Sequence, residues 1–350
     1  MKKYKALALT ISSLVFLMTG CNDSEANSKE KTIEWDLSLW GGQRAITLPA
    51  DDWAAAMYER TDGKWKINIH YGATLSNPQD NLDNLSSGLF EAAAVSPFYT
   101  PGKLPLVQVM DLPFIMPSDF ESIVNTAKIM FQEPEIIKEL DSWNVMPLLP
   151  GMTPQYEYMG KVEINSIEDF KGVKIAGMNA DIGKVFAEFG AIPTPMPAPE
   201  LYSSLEYGTI DGVIFPYSYG MGSYNLYEVS NYGTTSIAAG SPVTTFFANK
   251  DAWAALPDEF KKIHNDYIEN DYLKSAVNHI KNSDLLYESK FQAEGISIAN
   301  LDVNEREKLV SKSKDVWLEW EETWKERGDT KHLISRIEDV KKSLSQKREN

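Results

Sequence analysis

The sequence predicts an α/β protein whose last part is helical, and three observations carry that prediction. From about residue 33 to Asn249, short runs with apolar residues at every second position take turns with runs of helical period. Such alternation predicts α/β layers with largely parallel sheets. From Pro257 onward the period is mostly helical, with Phe260, Ile263, Tyr267 and Ile280 at helical spacing. Third, "LSSGLFEAAAVSPFYTP" and "LEYGTIDGVIFPYSYG" repeat one arrangement: a glycine (Gly88, Gly208), an acid (Glu91, Asp211), an apolar run, then Pro97 or Pro216 with aromatics. Each reads as a helix end, a tight turn, a buried strand and a Pro-aromatic loop. Two similar lobes, each aiming an aromatic loop at a shared cleft, follow from it, because ligands of open α/β sheets sit beyond the carboxyl ends of strands.

The elements can be justified in order. "MKKYKALALTISSLVFLMTGC" has a basic start (Lys2, Lys3, Lys5) and an apolar run from Ala6 to Met18, too short for an ordinary membrane span. Residues 1–20 therefore read as an export signal. The small residues before Cys21 resemble a bacterial lipobox, which makes Cys21 the expected lipidation site. Polar residues 21–31 read as a flexible tether. "TIEWDLSLW" alternates through Ile33, Trp35, Leu37 and Leu39 and reads as a strand. "ITLPADDWAAAMYER", with Pro49 near its start and Trp53, Ala54 and Met57 on one side, reads as a helix. "GKWKINIHYG" alternates through Trp65, Ile67, Ile69 and Tyr71. In "EDFKGVKIAGMNADIG" a strand, Val173 to Ile175, ends in Ala176 and Gly177 before a helix carrying Ile182, Val185, Phe186 and Phe189. Trp317, Trp320 and Trp324 lie along one face of a late helix, as packing between lobes would require.

Composition narrows the function. The 350 residues carry a net charge of −16, with 43% apolar residues and a single cysteine. Without the signal, 31 basic residues face 50 acidic ones, which excludes the basic footprint that nucleic acid or an anionic membrane needs. One cysteine makes no disulfide and no thiolate metal site. His70, His264, His279 and His332 are scattered without metal-ligand spacing. The chain holds no G-x-S-x-G, phosphate-loop or G-x-G-x-x-G motif, so neither catalysis nor a cofactor is expected. With no coiled-coil seam, a monomer is expected.

Several pieces occur in a telling order: "ERTDGKWKINIHYGATLS", "LVQVMDLPFIM", "SIEDFKGVKIAG", "FGAIPTPMPAPELYSSLEYGTIDGVIFP" and "FFANKDAWAALPDEF". Across roughly residues 33–330 this series resembles the solute-binding component of TRAP transporters, the DctP family. The resemblance implies a two-lobed fold of the periplasmic-binding-protein type with a long hinge-spanning helix and a helical C-terminus. Lobe I would comprise 32–152 with about 239–270 returning to it. Lobe II would comprise 153–238, with C-terminal helices from about 271 to 350 packing across both. It also implies partners: a small-molecule solute between the lobes and a membrane permease, or alternatively a receptor kinase that senses the closed form.

In that family the strand ending Lys-Gly-x-Lys-x usually finishes in an arginine that clamps a carboxylate, and an asparagine precedes the later proline. Here those positions are Ala176 and Phe215. A carboxylate buried without a paired charge is costly, so the loss favours a cationic amine, an alcohol or a small aromatic solute. Trp40, Tyr99, Tyr156, Tyr158, Phe215, Tyr217 and Tyr219 would form an aromatic box beside Ala176 and Met178. Glu157 or Asp181 would pair with a cation. If the ligand is a carboxylate after all, Arg44 or Lys161 is the relocated anchor.

Overall fold

The computed structural model describes residues 32–177 and 179–349. The predicted signal, tether and Cys21, and also Met178, lie outside the described residues. Strands β1 (Ile33–Ser38), β2 (Trp65–His70), β3 (Ala92–Val95) and β4 (Val145–Leu149) build most of a first sheet. Strands β5 (Tyr156–Gly160), β6 (Lys174–Ala176), β7 (Ile192–Pro193), β8 (Gly212–Pro216) and β9 (Tyr232–Thr234) build most of a second. β10 (Thr245–Asn249) then joins the first sheet and β11 (Ser297–Ala299) the second. The strand orders are β2-β1-β3-β10-β4 and β11-β9-β5-β8-β6-β7.

The alternating patterns become half-buried strands for the expected reason. Trp35 and Leu37 on β1, Leu39 just past its end and Trp65 on β2 pack in one core with Trp53 and Met57 of helix Leu48–Arg60. The Trp53 indole donates to His264 Nδ1 at 3.1 Å, and burial holds His264 neutral by pushing its pKa down to about 3. The sheets are mixed rather than largely parallel. β10 runs antiparallel to β3 and β4, and β5 antiparallel to β8 and β9. The cause is connectivity: β4 passes directly to β5, and β9 to β10, so each incoming strand enters its new sheet without a helix to turn it round.

These two passages form a ribbon. Met152 bridges Val243, Thr153 N–H donates to Pro242 O at 3.2 Å, and Tyr156 N–H donates to Gly240 O at 2.8 Å. Gly151 is required here, since a Cβ would lie 2.1 Å from Thr244 O. A second link is a helix that runs from Asp258 to Ala293 with one π-helical turn at Ile268–Tyr272. At 1.5 Å per residue it is roughly 50 Å long. Tyr267, Tyr272 and Ala276 sit in the core of the first sheet, while Phe291 sits with Met159 and Val213 of the second. The tryptophan stripe belongs to a third link: Trp317 and Trp320 join the first-sheet core, and Leu309 and Val316 on the same helix join a second-sheet core.

The repeated motif is structural. Gly88 and Gly208 both end helices with positive φ, +76° and +74°, the left-handed turn that glycine accepts without strain. The acids that follow do the same work in both sheets. Glu91 accepts the Asp36 N–H of β1 at 2.8 Å, and Asp211 accepts the Lys174 N–H of β6 at 2.8 Å. Each carboxylate satisfies a backbone donor on the neighbouring parallel strand, locks the register of β3 or β8, and so fixes where the Pro-aromatic loop emerges.

Candidate functional site

Both loops open onto one cavity of about 810 Å³, within the range typical of small-molecule sites. Trp40 follows β1, and Tyr99 follows β3; their rings meet edge to face at 5.3 Å. From the second sheet come Tyr156, the first residue of β5, and Phe215 near the end of β8, with ring centroids 6.0 Å apart. Tyr224 packs on Phe215 at 5.7 Å, and Tyr219 completes the aromatic wall. Burial raises the hydroxyl pKa of Tyr99, Tyr156 and Tyr219, so all three are neutral hydrogen-bonding groups near pH 7. One stretch of the rim is apolar and stiff: Pro195, Pro197 and Pro199 stand at every second position around Met196 and Ala198.

Arg44 is the one charged side chain lining the cavity among the described residues. Its positive charge opposes the upward shifts of Tyr99, Tyr156 and Tyr219, which places the guanidinium among those rings. No carboxylate pairs with it among the described residues. Its Nη2 donates to Trp40 O at 3.4 Å, and its Nε is buried without an acceptor. A half-buried cation beside an aromatic wall, with spare donors, is arranged to receive an anion.

Six of the predicted residues, Trp40, Arg44, Tyr99, Tyr156, Phe215 and Tyr219, therefore meet at one cavity, and six of the described ones stand elsewhere. Tyr158 lies on the same face of β5 as Tyr156 but two residues deeper. It is fully buried against Phe170, and its hydroxyl donates to Val162 O at 2.9 Å. Tyr217 turns to the long helix, donating to Glu288 at 3.1 Å and packing on Phe291. Ala176 is buried with Met159, Leu201 and Phe215, behind the cavity wall, while its neighbours Gly177 and Asn179 line it. Glu157 accepts the N–H groups of Ile237 and Ala238 and the Thr234 hydroxyl, each at 2.9 Å. That bond set holds Ala238 at a positive φ of 49°; burial raises the carboxyl pKa to about 7, against the pull of those donors. Asp181 pairs with Lys184 at 3.2 Å, and Lys161 donates to Glu206 O beyond the opposite end of β5.

Sequence reasoning passed over Tyr224, Asn179 and the proline arch, although "IPTPMPAPE" does signal a rigid extended lip. Asn179 caps helix Ala180–Ala187 by accepting Ile182 N–H at 2.8 Å and donates to Asp111 O at 3.1 Å. The Asp111 carboxylate in turn accepts Val243 N–H of the connecting ribbon at 2.6 Å. Burial pushes its pKa up to about 8, with Val243 opposing and Asp181 adding.

Comparison with known proteins decides the family. Residues 40–323 match DctP, the bacterial extracellular solute-binding proteins of family 7. The chain belongs to this family. It is similar to the ectoine-binding periplasmic protein TeaA of Halomonas elongata, 29% identical over 231 residues, which cover 64% of this chain and 65% of TeaA. It is 28% identical over 201 residues to UehA, the ectoine/5-hydroxyectoine-binding protein of Ruegeria pomeroyi, covering 57% of this chain and 58% of that one. The alignments thus span less than two thirds of either relative's length. Among solved structures, a marine metagenome TRAP solute-binding protein in complex with 3-hydroxybenzoate superposes with a TM-score of 0.77 at 22% identity, covering 89% of this chain and 99% of that chain. That likeness is one of fold, and it covers 89% of this chain.

Proposed function

We propose that this DctP-family protein captures a small organic anion, one carboxylate on an aromatic or compact apolar body, and presents it to the membrane subunits of a TRAP transporter. The observation that carries the reading is Arg44, a guanidinium with no carboxylate partner and the one charge among the described residues that line an aromatic cavity. A cationic amine, which the loss of the family's arginine at Ala176 suggests, would meet this guanidinium and no carboxylate among the described lining residues. An anion would meet a two-donor fork at Arg44, neutral phenols at Tyr99, Tyr156 and Tyr219, and ring faces for its apolar body. The two sheets with their cores act as lobes that close about the ribbon and the long helix, and closure strengthens the ion pair by excluding water. No chemistry on the ligand is required. Lipid attachment at Cys21 with 22–31 as tether belongs to the same reading, and would hold the protein on the outer face of the cytoplasmic membrane.

Thermal melting of residues 22–350 against a mixed panel tests this. The panel holds benzoate, 3-hydroxybenzoate, ectoine, aliphatic mono- and dicarboxylates, small amines and alcohols. A ligand at a hundred times its dissociation constant adds about 2.7 kcal/mol of stability and raises the midpoint by a few degrees. Shifts with organic acids are expected. Shifts with amines alone would overturn the anion reading and return the aromatic box to a cationic ligand.

A further inference from the structure

The reading of Arg44 as anchor raises a question of geometry, because an arginine side chain is long and its fork must be held still to favour one ligand. The turn that carries it is fixed at both ends. Thr47 Oγ1 accepts the Arg44 N–H at 3.0 Å and donates to the Arg44 carbonyl at 3.0 Å. Gly41 O accepts Gly72 N–H at 2.7 Å, which ties the start of the turn to the end of β2. Between these ties the guanidinium packs directly against Gly41. A Cβ built there would stand 2.8 Å from Nη1, 3.1 Å from Cζ and 3.2 Å from Nη2. The residue has a φ of +70°, so the backbone itself is shaped for glycine.

We infer that Gly41 is a positioning residue for the ligand carboxylate: its bare α-carbon is the seat that orients the Arg44 guanidinium into the cavity. Among the described residues Nη1 makes no hydrogen bond and Nη2 only the 3.4 Å one to Trp40 O, so the fork is held by contact rather than by acceptors and keeps its donors for the ligand. Such seating lowers the entropy lost when two parallel hydrogen bonds form to a carboxylate. It also explains how a carboxylate site can be rebuilt away from the Ala176 position: the turn after β1 supplies both the cation and its support.

The inference rests on the anion reading, and a double-mutant cycle separates the two. Binding of benzoate, 3-hydroxybenzoate and acetate would be measured by calorimetry for wild type, Gly41→Ala, Arg44→Met and the double variant, with Gly42→Ala as control. A Cβ built at Gly42 would meet no atom within 4 Å, and its φ lies outside the left-handed region. Gly41→Ala should weaken carboxylate binding about tenfold, the cost of misplacing one strong hydrogen bond, while Gly42→Ala leaves it unchanged. In the Arg44→Met background Gly41→Ala should have no further effect. A Gly41→Ala loss that persists undiminished without Arg44 would overturn the seat and leave the anchor standing. Wild type that binds none of the three probes at millimolar concentration, or binds them equally well as Arg44→Met, would overturn the anchor and the seat together.

Discussion

Replacing Arg44 by methionine keeps an apolar stem out to about the Nε position and removes the guanidinium beyond it. With Nη1 unbonded and Nη2 weakly bonded among the described residues, the free protein offers two donors to an incoming carboxylate. Arg44 is half-buried, so each charge-assisted bond is taken at the low end of its range, about 1.5 kcal/mol. The pair then contributes about 3 kcal/mol, and Arg44→Met should weaken carboxylate binding on the order of 100-fold. Stability of the unliganded protein should move the other way or not at all. The Arg44 Nε is buried without an acceptor, and relieving such a donor returns roughly 1–3 kcal/mol. Calorimetry with the best organic acid of the panel gives the affinity, and melting of the ligand-free variant gives the stability. A variant that melts well below wild type would make Arg44 a structural cation. Undiminished affinity would remove it from the site.

Other consequences can be measured on the same protein. Asp111 and Glu157 have folded pKa values raised to about 8 and about 7, so above their unfolded values the folded state holds protons that the unfolded state has released. Stability should therefore fall as pH rises from 6.5 to 8, by about 2 kcal/mol for the two groups together. Asp111→Asn, whose carbonyl can still accept Val243 N–H, should raise the melting point at pH 8 and flatten the slope; an unchanged slope would mean Asp111 is ionised throughout. Below pH 6.5, His264 works against this trend, because its lowered pKa means stability is lost as the pH falls toward 3. Ala176→Arg would put a guanidinium among Met159, Leu201 and Phe215 and should cost at least 3 kcal/mol of stability by melting. Adding Phe215→Asn should recover part of that loss, and no recovery would show that position 176 does not reach the cavity past residue 215. Gly151→Ala forces a Cβ against Thr244 O and should lower the melting point by several degrees through the ribbon; a wild-type melt would mean the ribbon yields freely.

Much of the fold was legible because it is local. Alternation around Trp35 and Trp65 and the Gly-acid pattern at Gly88 and Gly208 each depend on neighbours in sequence. Strand direction does not, and β5 and β10 read as ordinary strands although each enters its sheet from the other half of the molecule. The site follows the same division. Trp40, Tyr99, Phe215 and Tyr219 stand at strand ends, where position along the chain alone brings them to the mouth. Tyr158 and Tyr217 carry the same local signature, but depth along β5 and the packing of the long helix decide where those rings go. Glu157 looks from sequence like a free carboxylate, yet the loop of residues 234–238 folds over it and consumes its acceptors. The reach of Arg44 depends on a left-handed glycine three residues earlier, which no spacing rule announces.

The paired carboxylates Glu91 and Asp211 act as two rulers with a common zero. Each pins its strand to a neighbour at the far end from the mouth, and the Pro-aromatic loop emerges a set number of residues later, at Pro97 and at Pro216. Because a strand advances about 3.3 Å per residue, two extra residues on one side alone would lift that wall roughly 7 Å above its opposite. A ligand can then be matched to this protein only by changing what stands on the walls, since their heights are measured from inside the sheets.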